Sequence, residues 1–187
     1  MLNPFRRRGD LSPAAGRLHA AIVEQSREPA FYGDLGVPDT LLGRFEMMAL
    51  HAFLVFRRLR DAGPEGRELA QWTHDLMFAD IDTGLREIGI GDMGIGKRVK
   101  NLARNLYGRI EVYDAGLDAG AQALSEALVR NVYATAPPPC DEQVAAIAAY
   151  MMRETGALAV QPTEALLAGT VRFGAPPEAE RKSGGKA

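Results

Sequence analysis

The sequence predicts an all-α fold, a single compact multi-helix domain, on three observations. Apolar residues recur at three- and four-residue spacing, no stretch alternates with the two-residue period of a half-buried strand, and prolines and glycines punctuate the periodic segments. Ser12 before Pro13 reads as an N-cap with proline at the first helical position, opening a helix towards Arg27. Phe31 to Asp39 reads as a glycine- and proline-marked turn, after which Asp39 or Thr40 caps the next helix. In that helix Leu42, Phe45, Ala49, Ala52, Phe56 and Leu59 share a face. Met48, Leu50, Phe53 and Leu54 widen it until the helix must be central and mostly buried. Ala49 and Ala52 leave room for a neighbouring helix to approach closely.

Gly63 and Pro64 end that helix and start a third, carrying Leu69, Trp72, Leu76, Ala79, Leu85 and Ile88. A glycine-rich joint, Gly89 to Gly96, leads to a helix with Val99, Leu102, Leu106, Ile110 and Tyr113 on one face. Further helices are expected near Leu117–Ala134 and Asp141–Thr155, with a short one from Pro162 through Gly169. A linker-like Ala134–Cys140 sets off this small C-terminal portion. The expected organisation is a basic flexible arm over 1–10, the helical domain over 11–173 and a disordered tail over 174–187. That tail has no large apolar residue to bury.

Composition excludes several function classes. With 47% hydrophobic residues, 25% charged and a net charge of −2, bulk charge points to neither nucleic acid nor membrane. The lone Cys140 rules out an intramolecular disulfide and a cysteine-based zinc site. The most apolar run, Phe45 to Phe56, contains Glu46 and His51 and is far short of the about 20 residues that span a bilayer. Met1 to Arg8 has a basic cluster without an apolar stretch behind it, so a signal peptide is not expected. The expected location is cytoplasmic, with weak peripheral contact at the inner face of the membrane.

The most informative stretch is 75–113. Asp75, Asp80, Asp82 and Glu87 precede the joint, while Lys97, Arg98, Lys100, Arg104 and Arg109 follow it with no acid between them. Cations in a first helical turn oppose the helix dipole at a cost of about 0.3–1 kcal/mol each, which suggests that they serve a partner. Residues 61–96, by contrast, hold eight acids and two arginines, so much of the field cancels if the two helices are neighbours. Gly91 to Lys97 matches the core of a phosphate-binding loop, and Gly89-x-Gly91-x-x-Gly94 a bare dinucleotide pattern. Both need a buried strand in front, where Leu76 to Ile88 reads as helix. Arg98 also stands where a magnesium-binding hydroxyl belongs. A flexible interhelical turn is the preferred reading, and no nucleotide is expected.

No catalytic constellation emerges. His19, His51 and His74 have no metal-ligand spacing and read as surface or satisfied core residues, and no serine has a nucleophile-elbow context. Asp80 and Asp82, two apart on a helix, point to different sides, whereas Glu87 is placed to pair with Lys97 and Arg98. The Phe45, Met47, Met48, Phe53 and Phe56 stripe reads as core, with an adaptable Met-containing groove as the alternative. No enzyme, cofactor or metal is expected.

Two segments together resemble the ubiquinol–cytochrome c chaperone family. One is Phe31-Tyr32-Gly33-Asp34-Leu35-Gly36-Val37-Pro38-Asp39-Thr40 with Gly43-Arg44-Phe45-Glu46. The other is Asp80-Ile81-Asp82, Leu85-Arg86-Glu87-Ile88-Gly89-Ile90-Gly91-Asp92 and Gly96-Lys97-Arg98-Val99-Lys100. The resemblance runs from Ala21 to Phe173 and implies a bacterial relative of the mitochondrial cytochrome b assembly chaperone. It implies an assembly factor for ubiquinol–cytochrome c reductase that holds cytochrome b or its nascent chain, near the ribosome exit region in mitochondrial members. The residues it points to as client- or partner-binding are Phe31, Tyr32, Leu35, Gly36, Val37, Pro38, Asp39, Arg44, Asp80, Asp82, Arg86, Glu87, Gly91, Asp92, Lys97, Arg98 and Lys100. The alternative is a helical ribosome- or RNA-binding module using Arg6–Arg8 and the basic helix.

Overall fold

The structure, a computed structural model, describes residues 8–87, 92–135 and 137–177. Helices α1 Arg8–Ser26, α2 Pro29–Tyr32, α3 Leu41–Arg60, α4 Gly63–Glu87, α5 Asp92–Ala119, α6 Ala121–Asn131, α7 Asp141–Ala159 and α8 Thr163–Leu167 follow one another. No strand occurs among the described residues.

The order of the molecule follows from α3, the most apolar of the periodic segments. Thr40 caps it, its Oγ1 accepting from Gly43 N at 3.1 Å. Met47, Leu50, Phe53 and Leu54 face a core shared with α2, α5, α6 and α7. Phe45, Ala49, Ala52, Val55 and Leu59 face a second core shared with α1, α4, α5 and α8. Ala49 and Ala52 sit in the same cluster as Ala14 and Ala15 of α1, the close approach that small side chains permit. Arg57, Arg58 and Arg60 occupy the last turn, where the helix dipole favours cations. Arg58 also donates to the carbonyls of Leu158 and Gln161 and to Thr163 Oγ1, closing the end of α7.

Two polar groups lie inside this apolar frame. Glu46 is 1% exposed and receives Arg109 through two hydrogen bonds, at 2.9 and 2.6 Å. His51 is fully buried, with Nδ1 at 2.8 Å from the Met47 carbonyl and Nε2 at 2.9 Å from Tyr150 Oη. A carbonyl only accepts, so Nδ1 carries the proton and Nε2 accepts from Tyr150, whose oxygen in turn takes Gln25 Nε2 at 3.0 Å. Every polar atom of the imidazole is then satisfied, and Phe31, Tyr150 and Phe173 surround the ring edge-on.

Several boundaries differ from the sequence reading. α1 starts at Arg8, so Ser12 lies within the helix and Pro13 is internal; the loss is one backbone hydrogen bond near an end. The basic helix does not stop near Tyr113 but runs to Ala119. The break comes at Gly120, whose φ of +102° only glycine adopts readily, and α6 starts after it. Ala79 is exposed, and the larger Met77 and Phe78 take the buried face of α4. The Ala134–Cys140 segment does not set off a separate portion, because Val144, Ile147 and Met151 of α7 belong to the same core as α3.

The C-terminal strap also stays packed beyond Phe173. Gly174 N donates to buried Glu154 at 2.9 Å, Gln25 reaches the Gly174 carbonyl at 2.9 Å, and Arg153 binds the Ala175 carbonyl. Residues 1–7 of the expected arm and 178–187 of the expected tail lie outside the described residues.

Candidate functional site

The first of the two motif segments is a tightly wound connection between α1 and α3. Pro29 opens α2, and the chain then turns through Leu35 N to the Ala30 carbonyl at 3.1 Å and Val37 N to the Phe31 carbonyl at 3.0 Å. Phe31, Leu35 and Val37 are buried, so they fix the loop and offer no surface. Tyr133 Oη, from the turn after α6, and Gln143 Nε2, from α7, donate to the Leu35 and Asp34 carbonyls. Gly36 faces the Gln143 side chain, and a Cβ on Gly43 would lie 2.0 Å from the Pro38 carbonyl, so the loop crosses the first turn of α3 only because Gly43 has none.

Tyr32 is half-buried and donates to the Ser26 carbonyl at 2.6 Å, and burial raises its phenol above the ordinary value. Arg44 binds Asp39 at 2.6 Å on the surface, and that hydrogen bond holds the Asp39 carboxyl below its usual range.

The second segment lies at the end of α4 and the start of α5. Asp80 turns towards α1, 3.7 Å from His19 Nε2, while Asp82 turns along α4 to Arg86 at 2.8 Å. The two acids therefore point to different sides. Burial lowers the His19 pKa despite the neighbouring carboxylate. Glu87 and Lys100 are exposed. Gly91 and the side chains of Asp92, Lys97 and Arg98 lie outside the described residues, and with them the expected pairing of Glu87 to Lys97 and Arg98.

The glycine joint is shorter than the sequence suggested, since Asp92 already begins α5 and an acid at that end suits the helix dipole. Gly94 and Gly96 lie within that helix. The last described element before Gly91 is helix α4, where a phosphate loop requires a strand.

The two segments meet. Tyr32 and Arg44 from the first, with Asp80 and Leu85 from the second, line one groove of about 280 Å³. Its floor is apolar, made by Val23, Leu41, Phe45, Met48, Ile81 and Leu102, and Arg27 joins Arg44 and Asp80 as its charged groups. A neighbouring recess of about 230 Å³ shares Leu41, Leu85 and Leu102 and continues to Leu42 and Asn101. Leu41 is 54% exposed although it is a large aliphatic residue.

Asp82, Arg86, Glu87 and Lys100 do not line the groove. Sequence reasoning missed Val23, Leu41 and Leu102 as groove residues. The available signal was Leu41, an apolar residue beside the first motif and off the buried stripe, whereas Leu102 read as part of the apolar face of its helix. Met48 belongs to the groove, while Phe45 both lines it and packs in the core.

The basic helix is less free than its sequence implies. Arg109 is spent on Glu46, and Lys100 and Arg104 are the exposed cations of α5 whose side chains are described. Among the described residues no helix is long and apolar enough to cross a membrane, and no cluster of His, Cys, Asp and Glu has metal-site geometry.

Comparison with known proteins gives a consistent set of relatives. The family described as Ubiquinol-cytochrome C chaperone matches residues 33–173. Ubiquinol-cytochrome-c reductase complex assembly factor 1 of Xenopus laevis is 25% identical over 119 residues, covering 64% of this chain and 60% of that protein. Protein CBP3, mitochondrial, of Saccharomyces cerevisiae is 33% identical over 107 residues, 55% of this chain and 32% of its own length. The chain thus spans less than two thirds of these curated relatives. The crystal structure of the Cbp3 homolog from Brucella abortus superposes with a TM-score of 0.79 at 40% identity, over 91% of this chain and 94% of that one.

Proposed function

We propose, since this chain belongs to the ubiquinol–cytochrome c chaperone family, that it is a non-enzymatic assembly factor that holds newly made cytochrome b until ubiquinol–cytochrome c reductase is put together. The observation that carries this reading is the groove in which the two motif segments converge on one apolar floor. An apolar client needs such a surface. Its long hydrophobic segments aggregate unless held or inserted promptly, and a groove with an adaptable methionine accepts helices of differing shape. Phe31, Leu35, Gly36, Val37 and Pro38 serve this reading as the frame that sets the groove, with Tyr32, Arg44 and Asp80 at the contact itself. Asp39 acts through Arg44.

Exposed Lys100 and Arg104 supply attraction to an anionic surface, either the inner face of the membrane or the ribosome exit region. At about 1 kcal/mol per charge near a membrane, the attachment is weak and peripheral.

The expected result of deleting the gene is a loss of assembled ubiquinol–cytochrome c reductase and of its b-haem absorbance, while succinate dehydrogenase stays near normal. Full b-haem and full complex in the deletion strain, under growth that needs this respiratory route, would overturn the proposal.

A further inference from the structure

A second cavity, of about 260 Å³, lies at the far end of the α3–α4 pair and shares no lining residue with the groove. Its polar side is built from Arg60 of α3 and Arg67 and Gln71 of α4, the last donating to Asp75 at 2.8 Å, and no carboxylate lines it. Arg67 is exposed just past the first turn of α4, at the positive end of that helix, and has no ion-pair partner among the described residues. Arg60 gives one nitrogen to Asp114 at 2.8 Å, and Asp114 also binds Arg57, which Asp118 reaches as well at 3.3 Å. The remaining N–H groups of Arg60 stay available for a second acceptor.

The opposite side is apolar and aromatic. Phe56, Ala70, Ile110 and Tyr107 form it, and Tyr107 is 51% exposed, with its ring 5.5 Å from that of His74. His74 is itself fixed by Asp75 at 3.1 Å and by Phe78, ring to ring at 4.7 Å. The aromatic wall is therefore held in place before anything binds. A half-exposed aromatic ring and an unpaired arginine thus line the same opening, a combination suited to a group that is negatively charged and partly apolar.

We propose that this cavity binds a phosphate-headed amphiphile, its head between Arg60 and Arg67 and its acyl or aromatic body against Phe56, Tyr107 and Ile110. The planar guanidinium fork matches phosphate oxygens in pairs, and a phosphate monoester carries about −1.5 to −2 at neutral pH, matching two guanidiniums. The volume lies below the roughly 300–1,000 Å³ of drug-sized pockets, so the enclosed body is short. This site does not depend on the client-holding reading of the groove.

Isothermal titration of the full chain with hexyl phosphate tests it. Saturable binding is expected, with inorganic phosphate weaker by roughly tenfold because it gains nothing from the apolar wall. Arg67→Glu should weaken hexyl phosphate by roughly tenfold or more. Ala70→Trp, which fills the apolar side and leaves both guanidiniums, should abolish it, with circular dichroism showing that both variants keep their helices. Flotation with phosphatidylcholine vesicles, with and without phosphatidic acid, separates two sources of the ligand. Capture by the acidic vesicles that is lost in Arg67→Glu assigns the head to a bilayer lipid. No capture, with hexyl phosphate still bound, assigns it to a free phosphate ester. The absence of saturable hexyl phosphate binding, or equal affinity in wild type and both variants, would overturn the proposal.

Discussion

Replacing Arg109 with alanine is expected to destabilise the protein by about 3–5 kcal/mol at neutral pH, because it leaves the Glu46 carboxylate buried and unpaired. Against a total stability of about 5–15 kcal/mol this is a large fraction, visible as an earlier urea midpoint. The sign of its pH dependence follows from the forces on Glu46. Burial raises its pKa and the two interactions with Arg109 lower it, with burial the stronger. Removing Arg109 leaves burial alone, so the carboxyl in the folded variant takes up a proton at a higher pH than in the unfolded chain. The variant therefore regains stability as the pH falls through that range, and its deficit relative to wild type narrows. Replacing both partners, Glu46→Leu with Arg109→Met, should recover most of the loss, since no charge is then left without a partner. A pH-independent deficit, or a double variant as unstable as the single one, would show that the pair acts through packing instead.

The second large effect belongs to His51. Burial depresses its pKa from 6.5 to about 4, so it is neutral in the folded protein where the unfolded chain is already protonated. A base held neutral in this way contributes stability that is present above the unfolded pKa and is lost as the pH falls from 6.5 towards 4. Between pH 7 and pH 5 the loss is about 2 kcal/mol. His19 is shifted in the same direction, so the comparison with His51→Gln isolates the buried site. In that variant, urea titrations at pH 7 and pH 5 should lie closer together than in wild type. Equal pH dependence in both proteins would place the acid sensitivity elsewhere.

These two residues also show what the sequence could and could not reveal. α3 and α7 were legible because dense apolar periodicity fixes both the element and its buried face, as Phe45, Ala49 and Ala52 or Val144, Ile147 and Met151 do, whereas α4 was legible as a helix but buries Met77 and Phe78 in place of Ala79. The join between α5 and α6 was not, because Tyr113 and Leu117 sit on opposite sides of an apparent gap that the helix simply crosses, and the real break rests on the backbone of Gly120. Glu46 read only as a charge within the apolar run and the first motif, and Arg109 as one of the cations set out for a partner. Their partnership joins positions 63 apart, and no local pattern encodes it.

The candidate site was half legible. Its two motif segments were recognised, but Phe31, Leu35 and Val37 turned out to be its frame. Its apolar floor comes from Val23, Leu41 and Leu102, residues on three different helices that only the packing brings together.

The groove as a holding surface is the claim on which the account rests, and Leu41 is the position from which to test it, being on the groove and 54% exposed. A photo-reactive residue placed there in the full chain, activated in growing cells of the native organism, should cross-link to cytochrome b that has not yet entered the mature complex. The same group at Val160, 83% exposed and away from the groove, serves as the control and should not do so. Cross-linking of cytochrome b from Val160 as strongly as from Leu41, or its absence from Leu41 while the chain is folded and present, would contradict the account.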